Sequence, residues 1–123
     1  MKLAVTREVR EGERRVALVP ESCRKLVQAG IEVTVESGAG ESAFFTDDSY
    51  RKAGAAIGSD VVGLLGSADF VLKVQPPSIL PALGVHEADL MREGAMFLGT
   101  LAPARFPDVV EKLAARGVSA FST

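Results

Sequence analysis

Apolar residues fall along the chain in two alternating rhythms, short runs of strand type and stretches with helical spacing. Leu3 to Thr6 is predicted as a strand. After a charged loop, Pro20 opens a helix in which Cys23, Leu26 and Val27 stand at i, i+3 and i+4, with Gly30 as its stop. Ile31 to Val35 alternates as a strand, Thr46 can cap a short helix through Ala53 that Gly54 ends, and Ala56-Ile57 begins another extended piece. Asp60 is placed to cap a helix through Leu65, followed by a strand Phe70 to Val74 and a loop holding Pro76, Pro77 and Pro81. A weak helix near His86 to Met91, a strand Ala95 to Leu98, a helix from Pro107 to Arg116 stopped by Gly117, and a strand Val118 to Phe121 complete the pattern. Strands and helices alternating at this spacing predict an α/β fold: a Rossmann-like, doubly wound, mostly parallel sheet with helices on both faces. Neither a repeat nor a linker interrupts residues 1–123, which read as one domain; ending on a strand without a covering helix, the unit is expected to belong to something longer.

Composition narrows the class. With 123 residues, 24% charged and 47% hydrophobic, the chain has the balance of an ordinary globular domain able to bury roughly two thirds of its unfolded surface. A net charge of -2, with acids among the bases in REVREGERR, leaves no basic stripe for a nucleic acid. Cys23 is the single cysteine, which excludes an internal disulfide and any CxxC site and fits a reducing compartment. The N-terminus has only Leu3, Ala4 and Val5 between charges, too few for a signal peptide, and Asp60, Asp69 and glycines break the longest apolar stretch, so no direct membrane insertion is expected.

Candidate chemistry is sparse. Gly38 to Ala43 fits G-x-G-x-x-[G/A] after a strand, the fingerprint that seats a pyrophosphate on a helix N-terminus. That mechanism needs a helix starting inside the motif, yet the first cap is Thr46, so the glycines read better as a sharp turn. His86 is the only histidine, too few ligands for a metal site, and Asp47-Asp48 read as negative charge at a helix N-terminus. Cys23 reads as a small buried hydrophobe. Arg14-Arg15 and the stretch VLKVQPP, with Lys73 and Gln75 at a strand's carboxyl end, are what is left. Ligands bind at that end of open α/β sheets. A long basic side chain can equally keep its stem buried and its head in water, so both readings of Lys73 stand.

Four segments in order, EGERRVALVPES, VESGAG, YRKAGA and ADFVLKVQPP, resemble the N-terminal domain shared by alanine dehydrogenases and the NAD-binding alpha (alpha1) subunit of proton-translocating NAD(P) transhydrogenase. The resemblance is in register from Met1 to about Pro77 and looser beyond. It implies that Arg15 matches the family's carboxylate-binding arginine, and that the dehydrogenase's catalytic lysine falls on Gln75, two positions after Lys73. Where the dehydrogenase places its histidine, the chain has MFLGTLAPA, with Thr100 and Leu101. An amide and a leucine cannot move protons, whereas passing a hydride between two nicotinamide rings needs geometry and no side-chain acid or base. The resemblance therefore points to the transhydrogenase branch. It implies NAD(H) on the intact subunit, NADP(H) on a partner subunit, a homodimer, membrane-embedded and NADP-binding partners, and a cytoplasmic place at the inner face of the membrane.

Carried over residue by residue, this leaves Arg15, Lys73 and Gln75 as lining of a cleft, and no catalytic, cofactor-binding or metal-binding residue is nominated in this segment. The dinucleotide fingerprint of the family lies in a second domain, so the 123-residue chain by itself is expected to be inactive and a poor binder of NADH. Two other readings stay open: an alanine dehydrogenase-like amino-acid dehydrogenase that has moved its catalytic groups, and a noncatalytic dimerisation or regulatory module.

Overall fold

Each predicted strand and helix has its counterpart in the computed structural model, which describes residues 1–123. β1 (Lys2–Val5) is followed by a long loop and α1 (Pro20–Gln28), whose first residue is the proline that tolerates a missing N–H there. Cys23 is fully buried on this helix's inner stripe, and Gly30, at φ 93°, turns the chain into β2 (Glu32–Glu36). A tight turn and a single 3-10 turn over Glu41–Ala43 lead to α2 (Asp47–Lys52), capped by the Thr46 hydroxyl, which accepts the Ser49 N–H at 3.2 Å. β3 (Ala56–Gly58), α3 (Val61–Ser67) and β4 (Phe70–Leu72) follow. Next come two short strands, β5 (Ile79–Leu80) and β6 (Val85–His86), then α4 (Glu87–Leu90), β7 (Met96–Gly99), α5 (Pro107–Ala115) and β8 (Ser119–Ser122).

Six strands form one sheet in the order β3-β2-β1-β4-β7-β8, every neighbouring pair parallel. Alternation along β1 divides the interior. Leu3 and Val5 point to one face, where Val33, Val35, Cys23 and Tyr50 pack beneath α1 and α2. Ala4 points to the other, with Val71, Phe97, Leu65, Ala88 and Leu113 under α3, α4 and α5. The result is the predicted doubly wound architecture with helices on both faces.

Three details depart from the expectation. β4 ends at Leu72 rather than Val74 because the N–H groups of Val74 and Gln75 turn to the Glu8 carboxylate. The proline-rich loop also contains an antiparallel hairpin, Ile79 opposite His86 and Leu80 opposite Val85, with Gly84 in its turn at φ 67°. Two-residue strands carry no readable alternation, and three prolines nearby speak for loop. At Asp60 the chain does enter a helix, but without a side-chain cap hydrogen bond.

Candidate functional site: a carboxylate-bound cluster at the switch point of the sheet

The strand order reverses between β1 and β4: β2 and β3 lie to one side of that pair, β7 and β8 to the other. Loops leaving the two carboxyl ends therefore diverge and open a crevice, the place where open α/β sheets bind ligands. Register puts Val5 beside Leu72, so the next residues, Thr6 and Lys73, face each other across the crevice floor.

Lys73 is not at the surface. Its side chain is 2% exposed, and its ammonium donates to Glu8 Oε1 at 3.3 Å and lies 3.4 Å from Glu87 Oε1, carboxylates that are 3% and 1% exposed. Burying an ammonium is tolerable only when opposite charge and hydrogen bonds replace its water. Glu8 meets that demand and more: Oε2 accepts the Val74 N–H and Oε1 the Gln75 N–H, both at 3.0 Å. Glu87, from the start of α4, accepts the Ser78 N–H at 3.1 Å, while its Oε2 and the Thr6 hydroxyl have no hydrogen-bond partner within the protein. Burial pushes the Glu87 carboxyl above its ordinary range, against the opposing pull of the Lys73 ammonium and the Ser78 N–H.

A second carboxylate organises the mouth. Glu13 Oε1 accepts from Gln75 Nε2 at 2.7 Å and from Arg15 NH2 at 2.8 Å, and Oε2 accepts the Arg15 N–H at 2.9 Å and Nε at 3.0 Å. The Arg15 guanidinium holds the Glu13 carboxyl down at about 2, although burial pushes the other way. Arg15 itself keeps 71% of its side chain in solvent. Arg15 and Gln75 thus share one acceptor at the mouth, whereas Lys73 lies one layer below, joined to Gln75 through Glu8. Beside them a cleft of about 380 Å³ runs from Arg7 and Glu8 past Glu36 and Val61 to the β5–β6 turn at Leu83.

The glycine motif does something else. Gly38 turns at φ 82°, the motif itself holds only the single 3-10 turn Glu41–Ala43 and the next α-helix starts at Asp47, and the Gly38 N–H donates at 2.9 Å to Asp47 Oδ1, whose other oxygen accepts from the Ser37 hydroxyl at 2.7 Å. A carboxylate holds the amide a phosphate would need, so this segment does not fit a pyrophosphate. His86 caps α4, its Nδ1 accepting the Ala88 N–H at 3.1 Å, and burial lowers its pKa. Burial also pushes up the Cys23 thiol. Thr100 and Leu101 follow β7, Leu101 buried and the Thr100 hydroxyl 3.3 Å from that of Thr123.

Glu8, Glu13 and Glu87 were absent from the sequence-level candidates. The first two hide in REVREGERR, which reads as dispersed surface charge, and Glu87 in a weak helix. The available signal was Lys73: an ammonium at the end of an apolar run calls for an acid, but spacing does not say which one. Glu8 is 65 residues away.

The model of the alanine dehydrogenase/PNT N-terminal domain matches residues 4–123. Over 122 residues the chain is 43% identical to an NAD(P) transhydrogenase subunit alpha protein of Rhodospirillum rubrum, covering 99% of this chain and 32% of that protein. It is 37% identical over 124 residues to alanine dehydrogenase 1 of Staphylococcus aureus, covering 99% and 31%. Among solved structures, an L-alanine dehydrogenase superposes with a TM-score of 0.88 at 35% identity (99% of this chain, 32% of that one), and a transhydrogenase from Sinorhizobium meliloti with 0.88 at 31% (99% and 34%). The chain spans about a third of the length of these relatives. No helix is long and apolar enough to cross a membrane. Sheet order, two-sided core and the match over nearly the whole chain agree: it belongs to the alanine dehydrogenase/PNT N-terminal domain family.

Proposed function

We propose that the chain belongs to the NAD(H)-binding alpha subunit of a proton-translocating NAD(P) transhydrogenase, with Arg15, Lys73 and Gln75 in the wall of its nicotinamide cleft. The observation that carries this reading is Gln75. Its amide donates to an ionised carboxylate, Glu13, and neither gives up nor takes a proton in the physiological range. The neighbouring groups, Thr100 and Leu101, supply no acid or base either. Such a wall suits a reaction in which the dinucleotide brings the hydride and the protein contributes position. Arg15 and Gln75 would meet the nicotinamide end, Lys73 holds the crevice floor from below, and the phosphates would be bound outside the glycine turn at Gly38. In the whole complex the subunit works as a homodimer, beside an NADP(H)-binding partner and membrane-embedded subunits that couple hydride transfer to proton movement. It sits on the cytoplasmic side and reaches the membrane through them. A segment of 123 residues on its own is inactive.

A second reading, an alanine dehydrogenase-like enzyme, is favoured by the equal TM-score of 0.88 to both kinds of solved structure. Kinetics of the full-length protein separate the two. Hydride transfer from NADH to an NADP analogue in the presence of the partner subunits, with no pyruvate- and ammonia-dependent oxidation of NADH, is the expected result. Brisk oxidation by pyruvate and ammonia would replace the first reading by the second, and a protein that does neither is a noncatalytic module.

A further inference from the structure

The loop after β1, the β5–β6 hairpin and the start of α5 frame a cavity of about 430 Å³. Arg15, Lys73 and Gln75 take no part in its wall, whereas Arg10, Arg105, Phe106, His86 and Lys112 do. Two guanidiniums meet over one ring there: Arg10 Cζ lies 4.6 Å and Arg105 Cζ 5.3 Å from the centroid of Phe106. The face of the ring attracts both charges but offers their N–H groups no oxygen acceptor. Arg15, Arg92 and Arg116 each close on a carboxylate or a carbonyl. The side chains of Arg10 and Arg105 make no hydrogen bond or ion pair within the protein, although Arg10 is half-buried. Like charges drawn to one ring repel each other, and an anion between them relieves that repulsion. The other charges of the wall are already answered. Lys112 donates to Asp89 at 2.9 Å, and Asp108 stands in the first turn of α5, where it meets the positive end of its own helix. His86 adds a neutral donor. Its Nδ1 accepts the Ala88 N–H at 3.1 Å, so the ring proton sits on Nε2, an atom without an acceptor in the protein and not sealed in the interior. Burial and the Lys112 ammonium, against the pull of Asp89, hold this imidazole uncharged at neutral pH.

We infer that this cavity is a binding site for a phosphate group, with Arg10 and Arg105 as its charged donors and His86 Nε2–H as a neutral one. The chemistry of the donors sets the class. A guanidinium fork pairs bidentately with carboxylate or phosphate, and one arginine is enough for the two oxygens of a carboxylate. Two forks and a further N–H suit a dianion with three or four oxygens. Flexible at their tips, two arginines held to the same ring can close on a single oxyanion. The cavity is also larger than the ion. Its volume lies in the range that small organic ligands fill, and Phe106 and Val109 supply apolar wall, so both free phosphate and a phosphate monoester fit. The recognised group is the same in either case.

The test uses the full-length protein and two probes, inorganic phosphate and phenyl phosphate, titrated calorimetrically against chloride of equal ionic strength. Saturable phosphate binding is expected. Arg10→Gln and Arg105→Gln should each weaken it about tenfold, the factor one charge-assisted hydrogen bond carries, and the double substitution should remove it. Arg24→Gln, on the exposed face of α1, should leave it unchanged. Phenyl phosphate held more tightly than phosphate by the same two arginines supports the site and identifies an organic ester as its occupant; phosphate held as well or better supports it with the free ion. A second measurement needs no variant: phosphate should slow the modification of Arg10 and Arg105 by phenylglyoxal, read by peptide mass spectrometry, and not that of Arg24. No saturable binding of either probe beyond that of chloride overturns the inference. So does binding that the double substitution leaves unweakened, or modification of Arg10 and Arg105 that phosphate does not slow.

Discussion

Lys73 shows how much one buried charge can demand of its surroundings. Two carboxylates, Glu8 and Glu87, surround its ammonium, and none of the three head groups is more than 3% exposed. Removing the positive member leaves two acids buried together, so Lys73→Met is expected to destabilise the protein by about 3–5 kcal/mol in urea unfolding, the scale on which breaking a buried pair is felt. Adding Glu87→Gln should recover some of the loss. A change no larger than that of a control such as Lys25→Met, on the exposed face of α1, would count against the pair. Glu13 works through pH. Its carboxyl titrates near 2 in the folded protein against 4.5 for an unperturbed one. The unfolded state therefore takes up protons first as acid is added, and the stability from Glu13 is full above about pH 4.5 and lost between 4.5 and 2. Glu87 has the opposite sign, since its raised pKa penalises the ionised folded state above pH 4.5. Glu13→Gln should accordingly flatten the acid limb of the stability profile below pH 4.5, and an unchanged limb would show that the Arg15 contact carries no linkage.

At the scale of elements, local chemistry was readable wherever a helix or strand was long enough to show its period. Pro20, Cys23, Leu26 and Gly30 announce α1; Thr46 and Gly54 bracket α2; Pro107 and Gly117 bracket α5. The same reasoning separated the glycine turn from a phosphate cradle, because the first cap comes at Thr46. It also read Cys23 as core, which it is. It missed the β5–β6 hairpin, whose paired residues are too few to alternate, and it ran β4 on through Val74, where a side chain from another loop competes for the backbone. Gly40 displays a constraint that no period reveals. A methyl group there would come within 2.8 Å of Tyr50 Cε2 and 2.9 Å of the Phe45 carbonyl oxygen. Tyr50 is itself fixed, fully buried with its hydroxyl donating to the Leu18 carbonyl at 2.7 Å. Gly40→Ala is therefore expected to cost about 1–3 kcal/mol, the usual range for overpacking, and to lower the melting temperature. An unaltered melting temperature would mean the turn yields freely.

Across the whole molecule, the candidate site exists only because distant segments meet. The alternating elements made a doubly wound sheet legible, and a sheet of that kind has a switch point. Which strands flank it follows from the complete order β3-β2-β1-β4-β7-β8, a property of the assembled chain. That is why Lys73 and Gln75 could be singled out from sequence while Glu8, Glu13 and Glu87 could not. Arg15 and Gln75 stood in separate segments, and the carboxylate joining them was invisible until the loop after β1 was folded over the end of β4.

Charges elsewhere on the molecule are arranged differently. Lys52 with Asp48, Arg92 with Asp69 and Lys112 with Asp89 are pairs whose side chains are between 38% and 76% exposed. Dissolved ions reach such pairs, and in molar salt, where the screening length shrinks to about 3 Å, their attraction fades. The Lys73 cluster lies beyond the reach of the ion atmosphere. The brine that loosens the outer pairs therefore leaves the crevice floor, and the backbone of Gln75 tied to it, in the same shape, so that ionic strength tunes how ligands approach the mouth without altering what the mouth is.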